Sequence, residues 1–147
     1  QNIVFSFAKH GISIEESRVD SIAEQLGIKQ YYKRYPHQLS GGQKQRVAIT
    51  RALCLQSDLY LMDEAFSALD SYTKESLQDL LIQVREQEAM TTLFVTHNIE
   101  EAVYLGKRII IMKEGRIVHD FSNEHHSNRD CVEYYEMCQK VRRYLHD

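Results

Sequence analysis

A short glycine-containing stretch of the sequence has the residue types of an anion-binding helix start. Ser40 can cap the first turn, and Gln43, three residues later, can complete a capping box. Between them, Gly41 and Gly42 leave the first-turn N–H groups uncovered, and the helix is expected to reach about Leu55. Exposed amides at the positive end of a helix dipole form a site for phosphate. The sequence therefore predicts that this helix points at a phosphate-bearing ligand.

Two apolar runs end in polar side chains that could belong to the same site. Residues 59–62 are followed by Asp63 and Glu64, and residues 92–96 are followed by His97. Both runs are predicted strands buried on two faces, as in a parallel sheet. The segment between them is an amphipathic helix with apolar residues at i, i+3, i+4 and i+7, namely Leu77, Leu80, Leu81 and Val84. This strand–helix–strand unit places the three polar side chains at one sheet edge, where ligands bind in open α/β folds.

Each of these features alone also has an ordinary structural explanation. Asp63 and Glu64 could only cap a strand end, and His97 could be structural. A Ser-Gly-Gly-Gln run could begin any glycine-rich helix. Their order and spacing along one chain favour the functional interpretation.

The composition is that of one soluble globular domain. The chain has 147 residues, of which 43% are apolar and 27% are charged, and its net charge is −3 with both signs interspersed. The sequence shows no basic patch of the kind that binds nucleic acid. The three cysteines show neither paired spacing nor a disulfide framework, so a reducing compartment is expected. The apolar runs are far too short to span a bilayer.

The remaining elements are predicted from caps, turns and alternation. Asn98 and Glu101 form a second capping box, which begins a helix through about Leu105. Residues 108–112 and 116–118 read as a β-hairpin. The stretch from about residue 121 is polar and is expected to end in a helix.

Two adjacent histidines in this last stretch could suggest a metal site. His125 and His126 lack partners at a recognisable ligand spacing in the sequence. They are therefore predicted to belong to a solvated tail, outside the phosphate site.

The ordered motifs resemble those of ABC-type ATPases. Residues 39–43 resemble the signature motif, residues 59–64 the Walker B strand with its catalytic glutamate, residues 67–70 the D-loop, and His97 the switch histidine. The resemblance covers about residues 3–118. It implies an α/β fold that is a partial P-loop NTPase (ABC ATPase) core with a parallel sheet, plus a helical signature subdomain. The expected segments are a helical subdomain, the C-terminal half of the ATPase core and a polar C-terminal tail, at 1–56, 57–120 and 121–147.

Finer features are similar to the ATPase subunits of bacterial solute importers. They are residues 34–38, which read Arg-Tyr-Pro-His-Gln, and residues 96–102, which read Thr-His-Asn-Ile-Glu-Glu-Ala. The nitrate/sulfonate/taurine-type group is the most similar. Ala65 departs from the proline that is commoner after the glutamate, although glycine-betaine-type importers also have alanine there.

The resemblance implies a role for each candidate residue in hydrolysing ATP with Mg²⁺. Asp63 would hold Mg²⁺ through a water, and Glu64 would orient and polarise the attacking water. His97 would contact the γ-phosphate and help to hold Glu64 in place. Asp70 would cap the helix that follows it and reach across a dimer interface. The signature residues would contact the γ-phosphate of ATP that a second subunit holds, and they are Ser40, Gly41, Gly42 and Gln43.

The resemblance also implies partners and a location. The partners are a second ATPase subunit in a head-to-tail dimer, transmembrane permease subunits and a periplasmic or extracellular solute-binding protein, with no nucleic acid. The subunit would lie peripherally at the cytoplasmic face of the plasma membrane. The alternatives are a non-transport ABC ATPase of DNA maintenance or translation, and an inactive truncated product. The sequence shows no coiled-coil insertion or basic surface for the former, and the retained Glu64 and His97 argue against decay.

The P-loop motif of the family does not occur in the sequence. A P-loop requires Gly-x-x-x-x-Gly-Lys-Ser/Thr, but the Gly106-Lys107 pair is followed by Arg108. The Q-loop glutamine of the family also has no match. The sequence therefore predicts the C-terminal part of an ABC ATPase. Alone, it would neither bind ATP tightly nor hydrolyse it, and it would leave an apolar sheet edge unpaired.

Overall fold

The structure is a computed structural model that describes residues 15–55, 57–88 and 90–146. These residues form five α-helices and four β-strands, joined by turns and two short 3₁₀ segments. In chain order the elements are α1 (Glu16–Gln25), α2 (Gly41–Cys54), β1 (Leu59–Asp63), α3 (Ser71–Glu88), β2 (Thr91–Val95), α4 (Ile99–Leu105), β3 (Arg108–Lys113), β4 (Arg116–Ser122) and α5 (Val132–His146).

The contacts divide the chain into two compact units. Among the described residues, the first contains those from Glu15 to Tyr60 and from Ala65 to Thr92, and the second contains Leu61–Glu64 and those from Leu93 to His146. Helices α1 to α3 therefore belong to the first unit, and α4, β3, β4 and α5 belong to the second. The three-segment division of the sequence stays a prediction.

The first unit has a core of aliphatic side chains from its three helices. Helix α1 ends at a glycine, because Gly27 adopts φ 59° and its neighbour Ile28 donates its N–H to the carbonyl of Ala23 at 2.9 Å. Arg18 of α1 donates to the carbonyl oxygen of Leu53 in α2 at 2.8 Å. The predicted apolar face of α3 is confirmed, since its four members are all buried: Leu77, Leu80, Leu81 and Val84.

Strands β1 and β2 pair with each other in parallel. The amide of Thr91 donates to the carbonyl of Asp58 at 3.1 Å, and the amide of Glu64 donates to the carbonyl of Val95 at 2.9 Å. Because both bonds advance in the same direction along the two strands, the predicted parallel pairing is confirmed. The polar residues that follow each strand therefore share one edge.

The prediction that both strands are buried on two faces was wrong for the described residues. Along β1, Tyr60 and Met62 are buried, whereas Leu61 is 71% exposed. Along β2, Leu93 and Val95 are each about half exposed. A continuous apolar run shows that both faces suit a dry environment, but it does not show that both faces have a packing partner.

In the second unit, helix α5 packs against helix α4 and against strand β3 of the antiparallel hairpin β3–β4. The hairpin is confirmed, and its turn is formed by Glu114 and Gly115, whose φ angles are 49° and 74°. It is longer than predicted, because β4 continues to Ser122 and Phe121 pairs with Ile109. The predicted C-terminal helix is α5, and it buries Tyr134, Cys138 and Val141 on one face.

Candidate functional site

The start of α2 is the capping box that the sequence predicts. The hydroxyl oxygen of Ser40 accepts from the amide of Gln43 at 3.3 Å, and the Oε1 of Gln43 accepts from the amide of Ser40 at 3.0 Å. The Nε2 of Gln43 donates to the hydroxyl of Tyr31 at 3.3 Å. Helix geometry leaves the N–H groups of Gly41 and Gly42 without intrahelical partners. These amides lie beside an exposed serine hydroxyl, which suits a bound phosphate.

The loop formed by residues 67–70 packs closely against this helix start. A Cβ on Gly42 would lie 3.2 Å from the carbonyl oxygen of Ala68 and 3.4 Å from Cδ2 of Leu69. One helical turn further on, the Oε1 of Gln45 accepts from the amide of Ala68 at 2.9 Å. The close approach of the loop therefore favours glycine at Gly42, in addition to any contact of its amide with a ligand.

Asp70 is the cap of α3, as predicted. Its Oδ1 accepts from the amide of Thr73 at 3.0 Å, and its carbonyl accepts from the amide of Lys74 at 2.9 Å. The hydrogen bond from the Thr73 amide, then that from the Thr73 side chain, and more weakly the charge of Arg46, hold the pKa of Asp70 below its usual value. The carboxylate is thus kept charged next to the start of α2.

Glu64 and His97 are in direct contact at the ends of β1 and β2. The Oε1 of Glu64 lies 2.7 Å from Nδ1 of His97 and also accepts from the His97 amide at 3.2 Å. A carboxylate can only accept, so this contact is a hydrogen bond when the imidazole carries a proton on Nδ1, which leaves Nε2 on the far side of the ring. Glu64 adopts a φ of 49°, which is rare for a residue with a side chain. The positive φ and the two-point contact fix the carboxylate relative to the imidazole ring.

A small polar network holds the turn that carries His97. The hydroxyl of Thr96 donates to Oε2 of Glu101 at 2.8 Å and accepts from the amide of Asn98 at 3.0 Å. Asn98 caps α4 by accepting from the amide of Glu101 at 2.9 Å. The predicted reciprocal capping box at Asn98 was therefore wrong in one half, because the buried Glu101 carboxylate binds Thr96 instead of the Asn98 amide.

The structure brings the candidate residues together in two groups. Asp63, Glu64 and His97 lie in the second unit, with Asp63 exposed at the last position of β1. Residues 40–43 and Asp70 lie in the first unit. The hydrogen bonds given above order Glu64 and His97 in the second unit, and they order Ser40, Gln43 and Asp70 in the first.

Three residues shape these groups through contacts that the sequence did not predict. Gln45 binds the 67–70 loop, and Thr96 and Glu101 hold the turn around His97. Gln45 lies two positions after the 39–43 motif, and no sequence pattern indicates that it binds the amide of Ala68. Thr96 and Glu101 were within the segment noted for its similarity to importers, but their mutual hydrogen bond depends on the turn between β2 and α4.

Comparison with known proteins places this geometry in a family. The family model described as ABC transporter matches residues 2–67. The chain is 40% identical over 119 residues to the glycine betaine/proline betaine transport system ATP-binding protein of Escherichia coli (strain K12), covering 80% of this chain and 30% of that protein. It is 47% identical over 102 residues to the aliphatic sulfonates import ATP-binding protein of Bacillus licheniformis, covering 68% of this chain and 40% of that protein.

Comparison of the fold with solved structures indicates the same family. A dimeric ATP-binding cassette in a post-hydrolysis state, bound to ADP and phosphate, superposes with a TM-score of 0.68 and 36% identity over 74% of this chain and 47% of that one. The fold is therefore that of ABC ATPase cassettes within the P-loop NTPases, as the resemblance implied. The chain belongs to the ABC transporter ATP-binding proteins, and its relatives include ATP-binding proteins of betaine, sulfonate and taurine systems.

Two further findings concern the length of the match and membrane-spanning helices. The chain spans less than two thirds of the length of these relatives, from 30% of the E. coli protein to 55% of the taurine import ATP-binding protein of Rhizobium johnstonii, which is 34% identical. Among the residues that the structure describes, no helix is both long enough and apolar enough to cross a membrane.

Proposed function

We propose that this chain supplies the signature helix and the catalytic glutamate–histidine pair of an ATPase subunit that powers solute import. The observation that carries the proposal is the contact of Glu64 with His97, 2.7 Å apart at the carboxyl ends of two parallel strands. Such a pair is suited to orienting a water for in-line attack on a terminal phosphate.

The residues present fit ATP and Mg²⁺. The exposed hydroxyl of Ser40 and the free first-turn amides of Gly41 and Gly42 fit a phosphate group. The exposed Asp63 carboxylate fits the preference of Mg²⁺ for oxygen ligands. When bound, Mg²⁺ would neutralise charge on the β- and γ-phosphates.

In the proposed mechanism, Glu64 accepts a hydrogen bond from the attacking water and polarises it. His97 keeps the Glu64 carboxylate in one orientation through Nδ1, while its Nε2 is available to the γ-phosphate. Ser40 and the amides at the start of α2 contact the γ-phosphate of ATP held by the other subunit of a head-to-tail dimer. Asp70 would reach the same dimer interface from the 67–70 loop.

The proposed partners follow from the same assignment. They are a second ATPase subunit, transmembrane permease subunits and an external solute-binding protein, with the ATPase peripheral at the cytoplasmic face of the membrane. The 147-residue chain by itself is expected not to hydrolyse ATP, because its sequence contains no Gly-x-x-x-x-Gly-Lys-Ser/Thr motif.

The test uses the ATPase subunit to which this chain is proposed to belong, assembled with the proposed permease partners in lipid vesicles. Glu64→Gln should lower ATP hydrolysis and ATP-driven solute uptake by about a hundredfold or more, while a fluorescent ATP analogue still binds. Glu114→Gln is a matched control, because Glu114 has the same φ of 49° but lies in the β3–β4 turn. Hydrolysis by Glu64→Gln at the rate of the control would refute the assignment of Glu64. Hydrolysis without uptake of betaine, sulfonate or taurine would refute import of these solutes.

A further inference from the structure

Outside the ATPase residues, three metal-ligating side chains of different types meet near the start of α5. They are His125, Cys131 and Glu133, and one ligand atom from each lies within 4.8 Å of the other two. His125 and Glu133 are exposed, and Cys131 is half-buried. The sequence prediction of a solvated tail at His125 therefore missed a cluster that forms only when the loop before α5 folds back.

The loop that carries His125 and Cys131 is fixed to helix α4. The buried Asn123 side chain donates through Nδ2 to the carbonyl of Val103 at 2.7 Å and to that of Gly106 at 2.9 Å. The amide of Ser127 donates to the carbonyl of Tyr104 at 2.8 Å. These bonds fix the backbone on both sides of His125, so little ordering is needed to bring its ring into place.

Helix α5 fixes the other two side chains. Cys131 immediately precedes the helix and its Sγ donates to the carbonyl of Asn128 at 3.6 Å, while Glu133 lies in the first turn. The helix is itself anchored, because Tyr134 is buried and Arg142 pairs with Glu100 of α4 at 3.0 Å. The three ligands thus come from two segments that pack on the same helix.

The charges in the cluster suit a divalent cation. A thiolate and a carboxylate together carry two negative charges, which balance a divalent ion and offset the unfavourable positive end of the α5 dipole. The imidazole adds a neutral ligand.

We propose that His125, Cys131 and Glu133 bind one Zn²⁺ ion. Zinc takes nitrogen, sulfur and oxygen ligands in tetrahedral sites, whereas Mg²⁺ and Ca²⁺ require oxygen ligands. Binding forms a zinc–sulfur bond and releases the Cys131 thiol proton to solvent. Three protein ligands leave the fourth position to water or an exogenous ligand. The ion ties the loop before α5 to the first turn of that helix.

The proposal is tested by titrating the purified, tag-free, chelator-stripped chain with Zn²⁺ in a calorimeter. One ion should bind, and Cys131→Ser or His125→Ala should each weaken the affinity by about a hundredfold or more. His126→Ala is the matched control, because His126 is adjacent in sequence but its Nδ1 faces the carbonyl of Asn123. It should bind Zn²⁺ as the unmodified chain does. Absence of binding, or equal binding by Cys131→Ser, would overturn the site.

Two measurements keep the test independent of how the variants fold. Co²⁺ in place of Zn²⁺ should give a thiolate-to-cobalt charge-transfer band, which reports ligation by sulfur. In the unmodified chain, Zn²⁺ but not Mg²⁺ should slow alkylation of Cys131, read by mass spectrometry. The buried Cys54 and Cys138 are the internal reference. A missing charge-transfer band, or alkylation of Cys131 at the same rate with and without Zn²⁺, would refute zinc binding at this cluster.

Discussion

Replacing Gly42 by alanine tests whether the start of α2 requires glycine for packing against the 67–70 loop. A Cβ at Gly42 would lie 3.2 Å from the carbonyl oxygen of Ala68, which is backbone and can move only with the loop. A Cβ at Gly41 would come no closer than 3.9 Å, to Cβ of Ala68, which is ordinary contact. Gly41→Ala is therefore a matched control in the same helical turn.

The expected magnitudes come from two opposing effects. Alanine is favoured over glycine in a helix by up to about 1 kcal/mol. Inserting a methyl group into a tightly packed position costs about 1 to 3 kcal/mol. We therefore expect Gly42→Ala to lower the free energy of unfolding by about 1 kcal/mol. Gly41→Ala should leave it unchanged or raise it by up to about 1 kcal/mol.

The assay combines urea unfolding with hydrogen exchange at one amide. Because the Ala68 N–H is bonded to Gln45, displacement of the loop by Gly42→Ala should speed exchange at Ala68 specifically. Exchange at Ala68 in Gly41→Ala should match that of the unmodified protein. If Gly42→Ala is as stable as Gly41→Ala and protects Ala68 equally, then the close approach does not require glycine and the packing argument is wrong.

Three further predictions concern the caps and the turn around His97. Ser40→Ala should cost about 1 kcal/mol of stability by removing the acceptor for the Gln43 amide, and Ser40→Asp should restore it. Urea unfolding measures both, and equal stability of the two variants would contradict the capping role. Asp70 has a lowered pKa, so its folded pKa lies below its unfolded value. The stability it contributes is complete above about pH 4 and is lost as the pH falls through the folded pKa. Asp70→Asn should therefore flatten the loss of stability in acid titrations, and an unchanged acid limb would count against this assignment. Glu101→Ala should cost about 1 to 3 kcal/mol by leaving the Thr96 hydroxyl without its acceptor. It should also lower ATP hydrolysis by the proposed ATPase subunit, and a fully active, equally stable variant would show that the network does not position His97.

Much of the local structure could be predicted because it is encoded by neighbours in sequence. The capping box at Ser40 and Gln43 involves residues three positions apart, and the apolar face of α3 follows helical periodicity. The Asp70 cap belongs to the same class. In each of these interactions the partner lies a few positions away on the same helix, so the residue types and their spacing suffice to predict it.

The failures have a common physical cause. The second half of the capping box at Asn98 does not form, because the Glu101 carboxylate accepts a hydrogen bond from the Thr96 hydroxyl instead. The turn between β2 and α4 brings these two oxygen atoms to 2.8 Å. The burial of β1 and β2 on two faces was overestimated, because an apolar run does not reveal whether a covering layer is present. In both cases a partner outside the local pattern decided the outcome.

The sequence by itself determined the family, the order of the motifs and the parallel strand pair that carries Glu64 and His97, because these follow from residue types at fixed spacing. Only the tertiary structure decided that Glu64 and His97 touch, that Gly42 faces the Ala68 carbonyl, and that His125 approaches Cys131 and Glu133. Those contacts join residues whose approach depends on backbone turns and packing. A side chain's partner across such a turn is fixed by geometry that no short sequence pattern specifies.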